Sequence, residues 1–454
     1  MINATCRAVV AALLLVPILE TAARAQATDD RRGFSIGEAE LSSGFASVQL
    51  PPVTLGGRLP NDVLNADLIT SGELEVDWRS FTPQTRYLLV LFGRYAARAR
   101  YSALSAPGAN VTFGMSHTGR NKWRLETGVA NSITSSAELA LQPTPAGRRV
   151  EGPGSLDDLA GLVTARSQSP DSAALFIPID ESIVASDVAG NRIMASSVRA
   201  GAAYAHSVRI LALVRGSYTT IRRISSSNDP GRALPYPDST AASAGVGVEY
   251  KRSERSQVTL SLDWSQTSGA FVDDVLVASV EYGWSGRKWF VVTTAGAAVR
   301  PVQTRNATAL MTTTLHSSPA IVGSAVVGYK FGSQTLLTQY SRASHDEYGN
   351  GGRNIATGFE GGVQSVTGSW FWSAPRGRWS VHSDLSMVRR PGNFSYIFSW
   401  LSTTGIGRQL GPSLRLTADT FFDRHGSRAY EGFHLSQEGA RLNVIWVPRR
   451  ETGR

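Results

Sequence analysis

Trp284-Ser285-Gly286-Arg287-Lys288-Trp289 is a tight charged turn held between two indole rings. Before it, Leu276, Val280 and Tyr282 fall on one side of an alternating stretch and Glu281 on the other, the period-two pattern of a strand. The unit recurs. Trp372 and Trp379 bracket residues 373–378, Tyr329 and Phe331 precede Gly332-Ser333, and Tyr204 precedes His206-Ser207. Tyr250 precedes the charged run 251–255, Trp123 follows the turn 118–122, and Trp446 closes the last alternating stretch. Trp and Tyr favour the level where hydrocarbon meets headgroup, because an apolar ring carries an N–H or O–H that wants water. A row of such residues beside short turns is what one rim of a transmembrane β-barrel requires. Trp123, Tyr204, Tyr250, Trp284, Trp289, Tyr329, Trp372, Trp379 and Trp446 are therefore the expected interface girdle.

The opening residues read as a targeting segment, outside the fold. Arg7 gives a positive start, 8–19 is an apolar run, and Ala23-Arg24-Ala25 fits cleavage before Gln26, so 1–25 is the expected signal peptide. The single cysteine, Cys6, lies inside it, which leaves the mature chain without a disulfide or a thiolate ligand. Beyond it no run of about 18 apolar residues occurs, so no transmembrane helix is expected. The 42% hydrophobic and 18% charged content of the 454 residues would suit a soluble protein, yet barrels look the same because half their strand positions face water. Net charge is +9, from 41 Arg and 4 Lys among the bases. The arginines are scattered among turns, loops and strand faces, which argues against nucleic acid as a partner.

A tilted barrel strand needs about 9–11 residues to cross the hydrocarbon. Sixteen spans meet that: 86–100, 110–118, 122–135, 193–206, 209–223, 242–252, 256–268, 274–285, 288–302, 319–331, 333–344, 356–373, 378–390, 394–408, 411–424 and 430–447. Their connections alternate between short turns and longer segments rich in Gly, Pro, Asn and Ser, the asymmetry of periplasmic turns and extracellular loops. The expected fold is an all-β, antiparallel transmembrane barrel of about 16 strands over 73–448, with a tail at 449–454. Residues 26–72 are expected to form a periplasmic or lumen-touching extension. An 18-strand alternative takes the alternation of Leu74, Val76 and Trp78 as one more strand, with a partner within 45–55, although Pro51 and Pro52 disfavour a regular strand there.

Alternation also assigns faces. Charge on the lipid side costs about 2–4 kcal/mol at the midplane, so the charged face of each strand must look inward. That makes Arg94, Arg98, Arg100, Arg124, Glu126, Arg199, Arg215, Glu281, Glu360, Asp384, Arg415, Asp419 and Arg441 the expected pore-lining residues, together with Glu249, Asp263 and His382. Leu260, Leu262, Trp264, Leu414, Leu442 and Val444 are expected to face lipid. Acids and bases on neighbouring strands can pair along a solvated wall without selecting any solute. The run Arg94, Arg98, Arg100 is the one local excess, and would favour anionic solutes if it projects into a constriction. The insert 136–192 is far longer than an ordinary loop and carries apolar patches at 139–141 and 175–179, so it is a candidate to fold into the mouth.

In these features the chain resembles bacterial outer-membrane β-barrels of the porin-like kind. The resemblance implies insertion into outer-membrane lipid through the barrel-assembly machinery, and passage of small hydrophilic solutes or of an exported polysaccharide. Such proteins usually end on an aromatic residue; here Pro448 and a basic tail follow Trp446, the candidate substitute. No cofactor is implied. Catalytic readings are thin. His434 and Ser436 share a face like the pair of outer-membrane phospholipases, but Gln437-Glu438 stand where that family has Asn-Gly. His382 with Asp384 could be an acid–base pair, and three adjacent residues, His345-Asp346-Glu347, do not converge as a metal chelate. No catalytic or metal site is expected. A plugged structural barrel and a β-propeller are the remaining alternatives, the second disfavoured by the absence of a 40–45-residue repeat.

Overall fold

The computed structural model describes residues 32–49, 65–100, 105–119, 122–135, 192–225, 239–268, 272–299, 303–304, 314–315, 320–342, 364–375, 377–390, 397–427 and 434–447. Nearly all of them are strand. The wall starts with β1 (Arg32–Gln49), β2 (Asn65–Phe81), β3 (Thr85–Arg98), β4 (Ala106–Thr118), β5 (Trp123–Ser135) and β6 (Arg192–Ala205). It continues through β7 (Ile210–Ser225), β8 (Ser239–Ser253), β9 (Ser256–Ser268), β10 (Val272–Ser285), β11 (Trp289–Val299) and β12 (Ala320–Phe331). It ends with β13 (Gln334–Arg342), β14 (Gln364–Ser373), β15 (Trp379–Arg390), β16 (Ile397–Gln409), β17 (Leu414–Ser427) and β18 (His434–Trp446). Gln303–Thr304 and Thr314–Leu315 pair with each other apart from the wall.

Each wall strand pairs antiparallel with its sequence neighbours, and β1 pairs with β18 from Ala39↔Trp446 to Gln49↔Ser436. The sheet therefore closes on itself with no free edge. That is the one way a β-sheet can satisfy every backbone N–H and C=O inside hydrocarbon. The count is eighteen, the alternative that the Leu74–Trp78 alternation pointed to. The extra strand's partner is Arg32–Gln49, and 32–49 and 65–72 belong to the wall, not to an extension. Pro51 and Pro52 lie outside the described residues. Between Ile36 and Glu38 the β1–β2 register shifts by one residue at Gly37. A Cβ there would sit 2.6 Å from Glu75 Oε1, so any larger residue at the bulge would have to move the Glu75 carboxylate aside.

The short turns close by local hydrogen bonds. Gly286 N–H donates to Trp289 C=O at 2.7 Å, Thr82 N–H to Thr85 C=O at 2.7 Å and Ala374 N–H to Trp379 C=O at 2.8 Å. Gly332 and Gly377 supply the left-handed backbone two of these turns require, at φ 58 and 67. Trp284 folds its indole over Gly286, with Cζ2 2.8 Å from where a Cβ would stand.

Alternation along the ladders sorts the side chains. Leu260, Leu262 and Trp264 on β9, Leu276, Val280 and Tyr282 on β10, and Leu442 and Val444 on β18 are exposed on the outer face. The inner face is largely polar; Phe421 and Ile445 are also buried on it, and its apolar packing is concentrated over β10–β13. There Val275, Ala298 and Val322, flanked by Val277, form one buried inward cluster, and Phe290, Val326 and Leu337, flanked by Val292, form another. A closed wall with apolar side chains outside and charge inside is the architecture of an integral outer-membrane protein.

Candidate functional site

The inner wall carries three groups of charge, and they differ in how far water reaches them. The first spans β2, β3 and β18. Arg98 is buried, with Nη1 3.4 Å from Asp67 Oδ2 and Nη2 donating to Gln437 Oε1 at 3.1 Å. The Arg100 N–H donates to Asp67 Oδ1 at 2.8 Å. Arg94 Nε lies 3.2 Å from Glu73 Oε1, and Arg79 Nη2 donates to Asp77 Oδ2 at 2.6 Å. Two members of the expected basic excess, Arg94 and Arg98, are thus met by carboxylates of β2, and Asp67 also accepts from the Arg100 main chain. Asp67 lies in a segment the sequence assigned to the extension, which is why the excess looked unbalanced.

The second group, on β15–β18, centres on buried Asp419. Asn443 Nδ2 donates to Asp419 Oδ2 at 2.6 Å, Arg441 Nε stands 3.4 Å from the same oxygen, and His382 Nε2 lies 3.6 Å from Oδ1. Arg441 also lies over Phe421, 5.9 Å from the ring centroid, and Arg415 Nη2 donates to Ser380 Oγ at 2.6 Å. His382 and Asp419 are on strands separated by β16, and the contact exists because the intervening residue is Gly405: a Cβ there would strike the Asp419 carboxylate. Gly407 serves Arg415 and Ser380 in the same way, with Arg415 Nε 3.0 Å from its Cβ position. His382 therefore faces Asp419 rather than serving an acid–base pair with Asp384, which sits one pleat along, opposite Ser369 and Thr403.

The third group, on β5–β10, faces water. Arg124 Nη2 pairs with Glu126 Oε1 at 2.5 Å with 60% and 55% of the side chains exposed. Arg199 is exposed and lies over Gly128, its Nε 2.8 Å from the Cβ position. Arg215 grips Asp263 through Nε–Oδ1 at 2.9 Å and Nη2–Oδ2 at 2.7 Å, across Gly245 of β8. Glu281 shares this face, opposite Thr259 and Thr294. Glu360, His345-Asp346-Glu347 and residues 136–191 of the long insert lie outside the described residues. Among the described residues no group of three His, Cys, Asp or Glu is placed to hold a metal.

At the short-turn rim the expected aromatic residues meet in pairs. Trp123 and Tyr204 stand 4.8 Å apart and Trp289 and Tyr329 4.0 Å, each pair between strands in register, and Tyr329 stacks with Phe331 two residues along β12 at 5.3 Å. Tyr250, Trp284 and Trp379 are exposed at the same level, and Trp372 and Trp446 are partly covered. A second belt escaped the sequence reading as a belt: Phe45, Tyr95, Tyr218, Trp264, Tyr340 and Trp400 are exposed on the outer face toward the far rim. Two girdles bound a lipid-facing band.

The fold is a porin-like transmembrane barrel. No protein-family model matches the chain, and no curated protein matches it in sequence. Solved structures similar to it include OccK2 (OpdF) of Pseudomonas aeruginosa, at 9% identity and TM-score 0.43, covering 91% of this chain and 100% of that one. A BenF-like porin from Pseudomonas fluorescens Pf-5 aligns at 7% identity and TM-score 0.44, covering 92% and 100%. Acinetobacter baumannii OccAB4 aligns at 9% identity and TM-score 0.42, covering 92% and 99%. The fold assignment rests on the closed wall and its two faces.

Proposed function

We propose that this chain is a non-enzymatic outer-membrane channel that passes small hydrophilic solutes. The observation that carries the reading is the third group: Arg124, Glu126, Arg199 and Arg215 are exposed although they point into a closed wall. Charged side chains more than half exposed on the inside of a barrel need water beside them. The buried groups on β2–β3 and β15–β18 support a division of labour, in which that side stiffens the wall and the β5–β10 side meets the solute.

Planar-bilayer recording tests this. The folded chain should conduct steadily, and removing Arg199 or Arg215 should shift the reversal potential under a salt gradient toward cations. One unit charge at contact distance in water is worth about 1 kcal/mol, so the permeability ratio should change by up to about fivefold. Substituting Arg98, which is buried against Asp67, should leave that ratio unchanged in whatever fraction folds. A chain that inserts and never conducts would sink the proposal.

A further inference from the structure

Beyond the aromatic residues of the short-turn rim lies a collar of cations. All four lysines of the chain, Lys122, Lys251, Lys288 and Lys330, fall in those turns or in the last strand residues leading to them. Arg287 and Arg408 join them there. Among the described turn residues the one carboxylate is Glu254. At the far rim the described strand ends carry both signs, with Arg98, Arg222, Arg342 and Arg424 beside Asp67, Asp274 and Asp423. Of the short-turn lysines, Lys251 is met on the inner face by Glu249 at 3.7 Å.

A second observation says where the charge points. Arg408 alternates with Gly407, whose inward side meets Ser380 and Arg415, so Arg408 projects from the lipid face. Its guanidinium stacks on the ring of Trp379, 5.1 Å from the centroid, and both residues are exposed. A guanidinium held against a lipid-facing indole sits at headgroup depth, where its natural counter-ion is a phosphate. Val208, 96% exposed at the tip of the 206–209 turn, and Leu410, 53% exposed in the 410–413 turn, add apolar contact at the same level.

We propose that the short-turn rim is a binding surface for anionic phospholipid headgroups, with Arg408 and the Arg287-Lys288 pair as phosphate contacts. Binding here is independent of conduction. A basic residue near an anionic lipid surface contributes about fivefold to partitioning, so the three together give a preference large enough to measure.

The test uses the full mature chain folded in mixed micelles containing equal phosphatidylglycerol and phosphatidylcholine, with retained lipid counted by native mass spectrometry. Wild type should retain phosphatidylglycerol at least about fivefold over phosphatidylcholine, by the same partitioning factor. The triple variant R287Q/K288Q/R408Q should fall toward parity while keeping the gel mobility of a folded barrel. The inner-wall variant R199Q/R215Q should keep the wild-type preference. Parity in the wild type, or a preference untouched by the triple substitution, overturns the proposal. Retention of heparin by the wild type alongside lipid parity would assign the collar to a soluble polyanion and overturn it equally.

Discussion

Arg215 and Asp263 clasp each other across an intervening strand, Nη2 to Oδ2 at 2.7 Å, because Gly245 between them has no side chain. The pair is exposed, so its own worth is about 0–1 kcal/mol. What the geometry fixes more firmly is the glycine: any Cβ at 245 meets the Asp263 carboxylate. Gly245→Val is expected to cost about 1–3 kcal/mol through overpacking, more than Arg215→Ala, which removes the pair without a clash. Urea unfolding in lipid, followed by tryptophan fluorescence, ranks the two. The reverse order would mean that the clasp is not seated over the glycine.

Arg98 and Asp67 pose the opposite case. Both side chains are buried, 7% and 0% exposed, and the arginine is also tied to Gln437. Deleting one partner leaves the other charged and dry, at a cost of about 3–5 kcal/mol. Arg98→Met should therefore destabilise far more than Arg98→Met with Asp67→Asn, since the second change removes the stranded carboxylate. A double-mutant cycle in the same unfolding assay measures this. Additive losses would show that water reaches Asp67 once the arginine is gone.

The contrast between these pairs shows what a sequence can and cannot disclose about such a wall. Alternation exposes which face a residue takes, because a period of two is local. So Leu260, Leu262 and Trp264 could be placed on the lipid side, and sixteen strand spans could be located, from residues alone. The partners of Arg98 could not: Asp67 lies in a segment read as an extension, and Gln437 reaches it only by closure of β18 through β1 onto β2 and β3. Nor could His382 with Asp419 or Arg215 with Asp263, which are two strands apart. Their one local trace is a glycine at an inward position, as in Gly245-Val246-Gly247 and Gly405-Ile406-Gly407. β11 and β12 show the second limit. Val291 and Val292 face opposite sides and both are apolar, so the stretch reads as a buried strand without revealing that its inner side is packed.

That packed inner side leads to a prediction about where the barrel is stabilised by apolar burial. Phe290 is 1% exposed and touches Val326 and Leu337 on the next two strands. Phe290→Ala should leave a cavity and cost about 3–5 kcal/mol. Leu260→Ala, on the outer face, should cost much less, because lipid chains rearrange to fill the space. Thermal unfolding in detergent, read by the loss of the compact gel band, compares them. Equal losses would mean that the lipid face is as tightly packed as the inner cluster.

The facing rule itself can be tested with two adjacent residues. Ser261 points inward and hydrogen-bonds Ser279 across the β9–β10 ladder at 2.8 Å, while Leu262 points outward, 45% exposed. Arginine at 262 would put a charge into hydrocarbon, at a cost of about 2–4 kcal/mol near the midplane and less toward either girdle. Arginine at 261 enters the lumen side, where the Ser279 bond is lost but the new charge reaches water. Leu262→Arg should therefore lower stability in lipid by several times the loss from Ser261→Arg, and the gap should shrink on moving outward to Trp264, in the far belt. If both arginines cost the same, or if Leu262→Arg is the milder change, the outer face is not in lipid, and the apolar residues along β9 and β10 must be covered by protein instead.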